Sequence, residues 1–297
     1  MARWVVVGAS GFIGGAIASL LEQQGQIVTR AAAPRLTIES TSSEQQVVAI
    51  VRDRLGAFGA FAEILRGHDI VVNAAGVATP DATDSPTLYG ANAALPVLLA
   101  HLAAKASVRR LVHVSSAAVQ GRSEVLDASW RQSPFSPYSA SKALGERALK
   151  AILDDQSITV PTVCIVRATS VQGDARRTTR GLVAFAHSRF SSVAGEGDAP
   201  SPVSTAQGLA RFVMRLGLAP GCVPSVAVQP WEGMTVRDVL VAYGGKEPLR
   251  LPSGFCRVAV HGGYLLARLG IRRIEPMVRR VEVVWFGQRI AIAECRE

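Results

Sequence analysis

The sequence predicts an α/β fold: a doubly wound parallel sheet with a smaller C-terminal lobe. Three observations carry that expectation. Short continuous apolar runs, among them "WVVVGA" (4–9), "HDIVVNAAG" (68–76) and "PTVCIVRAT" (161–169), alternate with helical patterns. Strands apolar on both faces belong to a parallel sheet covered on both sides. The first run opens directly on a glycine-rich turn, "GASGFIGG", and the alternating rhythm stops after Gly173.

In chain order, "WVVVGA" is the first strand and a helix follows it to about Gln24. "QIVTRAA" is a second strand, and "HDIVVNAAG" and "RLVHVSSAA" (110–118) are two more, with an amphipathic segment, "NAALPVLLAHLAAKA", between them. "YSASKALGERALKAILDD" reads as a long helix leading to "PTVCIVRAT". Beyond it "GDARRTTRGLVAFAHSRF" carries a basic cluster and "SSVAGEGDAPSPVS" is loop-like. A helix, "TAQGLARFVMRLGL", and a strand, "PSVAVQP", return to the sheet. A capped helix, "TVRDVLVAYGG", then precedes a Pro/Gly-punctuated, Arg-rich tail. The organisation expected is residues 1–174 as the main domain, with 205–230 returning to it. Residues 175–204 and 231–297 form a smaller substrate-binding lobe over the crevice.

Composition narrows the classes. At 297 residues, 48% apolar and 19% charged, the chain suits a globule with a large core. Its net charge of +9 comes from scattered residues, with no run of five or six, so nucleic acid is not expected as a partner. Cys164, Cys222, Cys256 and Cys295 lack metal-like spacing and read as reduced thiols in the cytoplasm, Cys164 as core. The five histidines show no metal spacing either, so no catalytic metal is expected. The N-terminus lacks a signal peptide's apolar length, and no stretch reaches the roughly 18 apolar residues of a spanning helix, so no membrane is expected.

"GASGFIGG" places Gly8, Gly11 and Gly14 in a G-x-x-G-x-x-G variant of the dinucleotide fingerprint. The first glycine permits the tight turn, the second lets backbone approach a pyrophosphate, and the third lets the helix pack close to the sheet. Gly8, Ser10, Gly11, Phe12, Ile13 and Gly14 are therefore candidate cofactor contacts, the helix start facing the phosphates. The main domain is then a Rossmann dinucleotide-binding domain. An acidic residue at the end of the second strand would select NAD, but none lies between Ile27 and Leu36. Arg30 and Arg35 do, and a guanidinium pairs with a 2′-phosphate. NADP is the cofactor expected, with NAD the alternative; the two arginines are not separable at this level.

Tyr138 and Lys142 lie at i and i+4 near a helix start and share a face. A free tyrosine has a pKa near 10. A nearby ammonium and unpaired helix-start N–H groups favour the phenolate, so the phenol is expected to titrate closer to neutrality. It then gives a proton to a carbonyl oxygen, or takes one from a hydroxyl, as hydride moves to or from a nicotinamide. Ser115 and Ser116 end the fourth strand on the crevice side, and one of their hydroxyls can hold the substrate oxygen.

Together these pieces resemble the extended short-chain dehydrogenase/reductase family, the NAD-dependent epimerase/dehydratase group, over roughly residues 4 to 175. "GASGFIG", "GHDIVVNAAG", "HVSSAAVQG", "SPYSASK" and "VRATSVQG" carry the resemblance by order and spacing. It implies that Ser116, Tyr138 and Lys142 are catalytic, with Lys142 also bonding the nicotinamide ribose. It implies an acidic adenine contact at Asp53, flanked by Arg54, and cofactor contacts at Ala74, Ala75, Gly76, Ser115, Ala168 and Ser170. Arg167 matches the strand approaching the nicotinamide amide, and Asn92 a structural asparagine. Substrate contacts are expected at Thr79, Gln120, Ser170 and Arg176. Many members also pair through the tyrosine helix and its neighbour, and the faces of 138–154 and 92–106 here are apolar enough to permit a homodimer, though core packing explains the same pattern. The chain departs from nucleotide-sugar members at Gln120, where a tyrosine is usual, at Ser170–Gly173, and in "PSPVSTAQGLA", which lacks their arginine and aspartate.

The function expected is an NAD(P)-dependent oxidoreductase or epimerase moving hydride between nicotinamide and a ketone or secondary alcohol, first of a nucleotide sugar. The alternatives are a reductase of a small or apolar, lipid- or polyketide-like ketone, and a non-catalytic dinucleotide sensor.

Overall fold

The structure, a computed structural model, describes residues 1–77, 82–174, 176–269 and 274–291. Its first half runs β1 (Arg3–Val7), α1 (Phe12–Gln23), β2 (Ile27–Ala31), α2 (Glu44–Arg54), α3 (Gly59–Leu65) and β3 (Ile70–Asn73). Then come α4 (Pro86–Tyr89), which passes through a π turn into α5 (Leu95–Lys105), and β4 (Arg110–Ser116). β5 (Val125–Leu126), α6 (Pro137–Asp154), β6 (Thr162–Ala168) and β7 (Ser170–Gln172) follow. Six strands form one parallel sheet in the order β10-β6-β4-β3-β1-β2, where β10 is Val226–Val228, so the chain reverses direction between β1 and β3. The doubly wound expectation holds, and the crevice lies outside the strands' carboxyl ends.

The strands are apolar throughout because each face meets helices. Along β1, Trp4 and Val6 enter a core with α1 and α8 (Ala206–Leu218), while Val5 and Val7 enter the opposite core with α2, α5 and α6. Cys164 belongs to the first of these cores. The fully buried Arg110, at the start of β4, donates to the carbonyls of Leu216, Gly217, Ala219 and Gly221 and so ties off the end of α8.

The helix from Pro86 to Lys105 has the length and mean hydropathy, 1.3, of a membrane span, but 78% of that window is buried inside the protein as core. The same core accounts for the faces from which the sequence suggests pairing. α2 packs across α6 and α5, and α3 covers α5, burying Leu95 through Ala103. Arg147 of α6 reaches Glu44 of α2 at 3.5 Å.

The remaining elements are α7 (Arg177–His187), β8 (Ser192–Ala194), β9 (Val203–Thr205), α9 (Val236–Gly244), β11 (Leu249–Leu251), α10 (Ser253–Arg268), α11 (Glu275–Phe286) and β12 (Arg289–Ile290). α8 packs on α1 and β10 pairs with β6, while β7–β9, β8–β11 and β5–β12 are small parallel pairs. The Arg-rich tail is thus largely helical: α10 packs on α11 through Val260, Tyr264 and Val278. α11 in turn meets the loop after β4, Arg279 donating to Gly121 O at 2.9 Å.

Candidate active site

The glycine loop is built as its spacing requires. Gly8 has φ +84°, and a Cβ there would lie 2.7 Å from Ala75 Cα; one on Gly14 would lie 2.2 Å from Gly8 O. The turn therefore closes on the end of β3, and only glycine fits at either position. Gly11 caps α1 without a side chain, and the amides of Phe12, Ile13 and Gly14 find no acceptor among the described residues. Unpaired N–H groups at a helix start suit a pyrophosphate, so the loop fits the group that the sequence implies. Ser10 and Gly11 are exposed beside it and Ile13 is half-buried. Phe12 lies against Gly173, and the Arg176 guanidinium sits 5.6 Å from the Phe12 ring centre.

The catalytic candidates come together at the mouths of β4 and α6. Ser136 caps α6 in a reciprocal box with Ser139, Pro137 begins the helix, and Tyr138 follows in its first turn. The Ser116 hydroxyl, at the end of β4, lies close enough to the Tyr138 phenol to favour its charged form. One turn on, Lys142 is 4% exposed and donates to Val114 O at 3.1 Å. A Cβ on Gly76 (φ +150°) would come within 3.1 Å of Lys142 Nζ and 2.6 Å of Asn92 Oδ1, so the end of β3 lies directly over this pair. Asn92 holds that strand end, its amide spanning Val77 N, Val77 O and Ser141 Oγ at 2.9–3.0 Å, which agrees with a structural role.

The electrostatics differ from the sequence expectation. Burial raises the phenol of Tyr138 above its ordinary value, and the nearby Ser116 hydroxyl and the Arg176 charge only partly oppose this. It is Lys142 that moves toward neutrality: burial brings its ammonium down to about 8, against the pull of Glu146. The helix-start N–H groups expected to favour the phenolate are partly taken by the Ser136–Ser139 box.

Glu146 continues the Tyr138–Lys142 stripe by one more turn and belongs to a buried network that the sequence does not announce. It pairs with Arg167 at 2.7 Å, both side chains fully buried. It also accepts from Ser115 Oγ at 2.6 Å and from Gln132 at 2.9 Å. Arg167 completes its shell on the carbonyls of Asp127 and Ser129. The i+4 spacing to Lys142 was the only available signal. This network separates the two serines: Ser115 is committed to Glu146, and Ser116 faces Tyr138.

Other expected contacts divide. Ala74, Ala75 and Gly76 line the strand end beside the glycine loop, and Ala168 ends β6 alongside Ser116. Arg176 donates to Val171 O at 2.6 Å and bears on Tyr138. Ser170, on β7, accepts from Gln172. Gln120 is buried and both ends of its amide are joined to Asp127, which removes it from the exposed lining. Asp53 is on the exposed face of α2, and Arg54 donates to Thr37 O. Thr79 lies outside the described residues. The two arginines are now distinct: Arg30 is tied to Glu22 at 2.8 Å and to Ser19, whereas Arg35 is exposed with no partner among the described residues.

A sequence profile described as the NAD dependent epimerase/dehydratase family matches residues 4–205. The chain belongs to that family, and with it to the enzymes that use a nicotinamide dinucleotide. Among proteins of curated function none matches the sequence. Solved structures share the fold. MoeE5 in complex with UDP-glucuronic acid and NAD has a TM-score of 0.60 at 19% identity, over 84% of this chain and 85% of that one. UDP-glucose 4-epimerase of Thermus thermophilus with NAD has 0.56 at 21%, over 84% and 86%. The dTDP-4-dehydrorhamnose reductase of Bacillus anthracis str. Ames with NADP has 0.57 at 17%, over 84% and 83%.

Proposed function

We propose that this family member moves hydride between a nicotinamide dinucleotide and the carbonyl or secondary alcohol carbon of a nucleotide sugar, with Tyr138 as general acid and base. The observation that carries the reading is the juxtaposition of Ser116 and Tyr138 at the crevice mouth, with the Lys142 ammonium one turn behind them. When bound, the dinucleotide supplies the hydride donor or acceptor. Ser116 holds the substrate oxygen and Tyr138 exchanges a proton at that same oxygen. Because burial keeps the phenol protonated at neutral pH, its resting form is the acid, ready to protonate a carbonyl being reduced. Oxidation of an alcohol begins instead from the phenolate, which the Ser116 hydroxyl and the charge of Arg176 favour. Lys142 orients the nicotinamide ribose, and Gly76 leaves it room.

The nucleotide-sugar assignment rests on the family and on the bound ligands of the fold's relatives. NADP is preferred because Arg35 is uncommitted and no carboxylate stands between Ile27 and Leu36. The test is absorbance at 340 nm with NADPH or NADH against UDP- and dTDP-hexoses, dehydro sugars and simple ketones, with product analysis by NMR to detect epimerisation without net redox. Turnover of a nucleotide sugar that Tyr138→Phe abolishes, with cofactor binding kept, supports the proposal. Turnover of apolar ketones alone favours the second reading, for which the loss of Gln120 from the exposed lining and the lack of an arginine grip in "PSPVSTAQGLA" speak. Cofactor binding with no turnover across the panel points to a sensor.

A further inference from the structure

The C-terminal lobe carries a surface that neither the crevice nor the core uses. α10 divides into three arcs. Cys256, Val260, Tyr264 and Ala267 are buried against the lobe. Roughly opposite, Phe255, Val258, Leu265, Leu266 and Leu269 are 50% to 74% exposed, with only alanine and glycine between them on that arc. At 3.6 residues per turn this apolar arc spans roughly 120°. Arg257, His261 and Arg268 form the third arc, a row along one flank, all exposed. Between Glu247 and Glu275 the sequence has five arginines and no acidic residue. A soluble surface rarely presents so continuous an apolar face.

We propose that α10 docks the protein on an anionic lipid bilayer, lying in the plane of the interface. The apolar arc enters the boundary between headgroups and acyl chains, and the Arg257–Arg268 row meets the phosphates, its aliphatic stems lying along the apolar surface. Charge chooses this occupant. In a close pair of copies the acid-free, Arg-flanked face would meet another of its own sign on a chain already at +9, whereas an anionic surface complements it. This revises the expectation of no membrane partner, which considered spanning length only; an interfacial helix needs none. The buried side of the same helix holds Tyr264 3.5 Å beneath Arg122, in the loop after Ser116. Docking would therefore bring the crevice edge close to the lipid surface. The proposal stands independently of the substrate assignment.

The test is co-sedimentation of the whole protein with phosphatidylcholine vesicles, with and without phosphatidylglycerol, at low and high salt. Binding to the anionic vesicles is expected, weakened by salt and by neutral lipid. Val258→Gln with Leu265→Gln, both solvent-exposed and so compatible with the fold, should reduce it about tenfold or more. Arg268→Gln should reduce it roughly fivefold on anionic vesicles alone. No binding to anionic vesicles, or binding that the double variant leaves unchanged, overturns the proposal. So does a dimer in light scattering that the double variant dissolves, which would assign the face to a second copy.

Discussion

The two ends of the crevice are built to different standards. At the proposed catalytic end Ser116, Tyr138 and Lys142 stand on a largely buried frame in which Ser115, Glu146, Arg167 and Gln132 satisfy one another. At the adenosine end β2 is the sheet's last strand, Arg30 is spent on Glu22, and Arg35 lies free on the coil that follows. Proton transfer tolerates little displacement, so the chain commits buried charge to hold it. Discrimination of a 2′-phosphate needs only a solvent-exposed guanidinium, and one substitution can change it.

The contrast can be broken or sharpened by experiment. Tyr138→Phe should lower kcat by about 10³-fold while leaving dinucleotide affinity nearly unchanged, read by turnover and by cofactor fluorescence titration. Glu146→Gln leaves Arg167 buried without its counter-charge. Urea unfolding should show a loss of about 3 kcal/mol or more, and the alkaline limb of the pH–rate profile should move to lower pH, because the carboxylate that supports the Lys142 ammonium is gone. Equal stability and an unmoved limb would reduce the frame to ordinary packing.

Lys142 gives a test through pH. Its folded pKa, about 8, lies below its ordinary 10.5. Below pH 8 the lysine is protonated in both states, and the folded chain bears the full cost of burying it. Between 8 and 10.5 the unfolded chain binds the extra proton, so stability rises with pH. Relative to Lys142→Met, the wild type should gain on the order of 3 kcal/mol across that window in denaturant titrations. At the adenosine end the effect is smallest: Arg35→Gln should weaken NADPH binding about tenfold and leave NADH unchanged. Arg30→Gln should do little, its guanidinium being held by Glu22. A reversal of that pair would place the phosphate beside Arg30.

Much of this was legible in the residues. Apolar strands buried on both faces, the Gly8–Gly14 spacing and the i, i+4 pair of Tyr138 and Lys142 are local signals, and the sheet and the catalytic cluster follow from them. What was not legible depends on long-range burial. Nothing local distinguishes Ser115 from Ser116; Glu146 does, from 31 residues away. The direction of the tyrosine's shift was missed because desolvation outweighs the charges that sequence spacing can suggest. The tail's proline and glycine punctuation concealed two helices, whose caps are weak and whose stability comes from packing on one another.

The cover that α2 lays over the tyrosine helix has one more consequence. The back of that helix is supported from within the same polypeptide, so the proposed alignment of the Tyr138 hydroxyl does not require self-association. Specific activity should stay flat when the enzyme is diluted through any association constant, and a mixture of active and Tyr138→Phe chains should lose rate strictly in proportion to the inactive fraction.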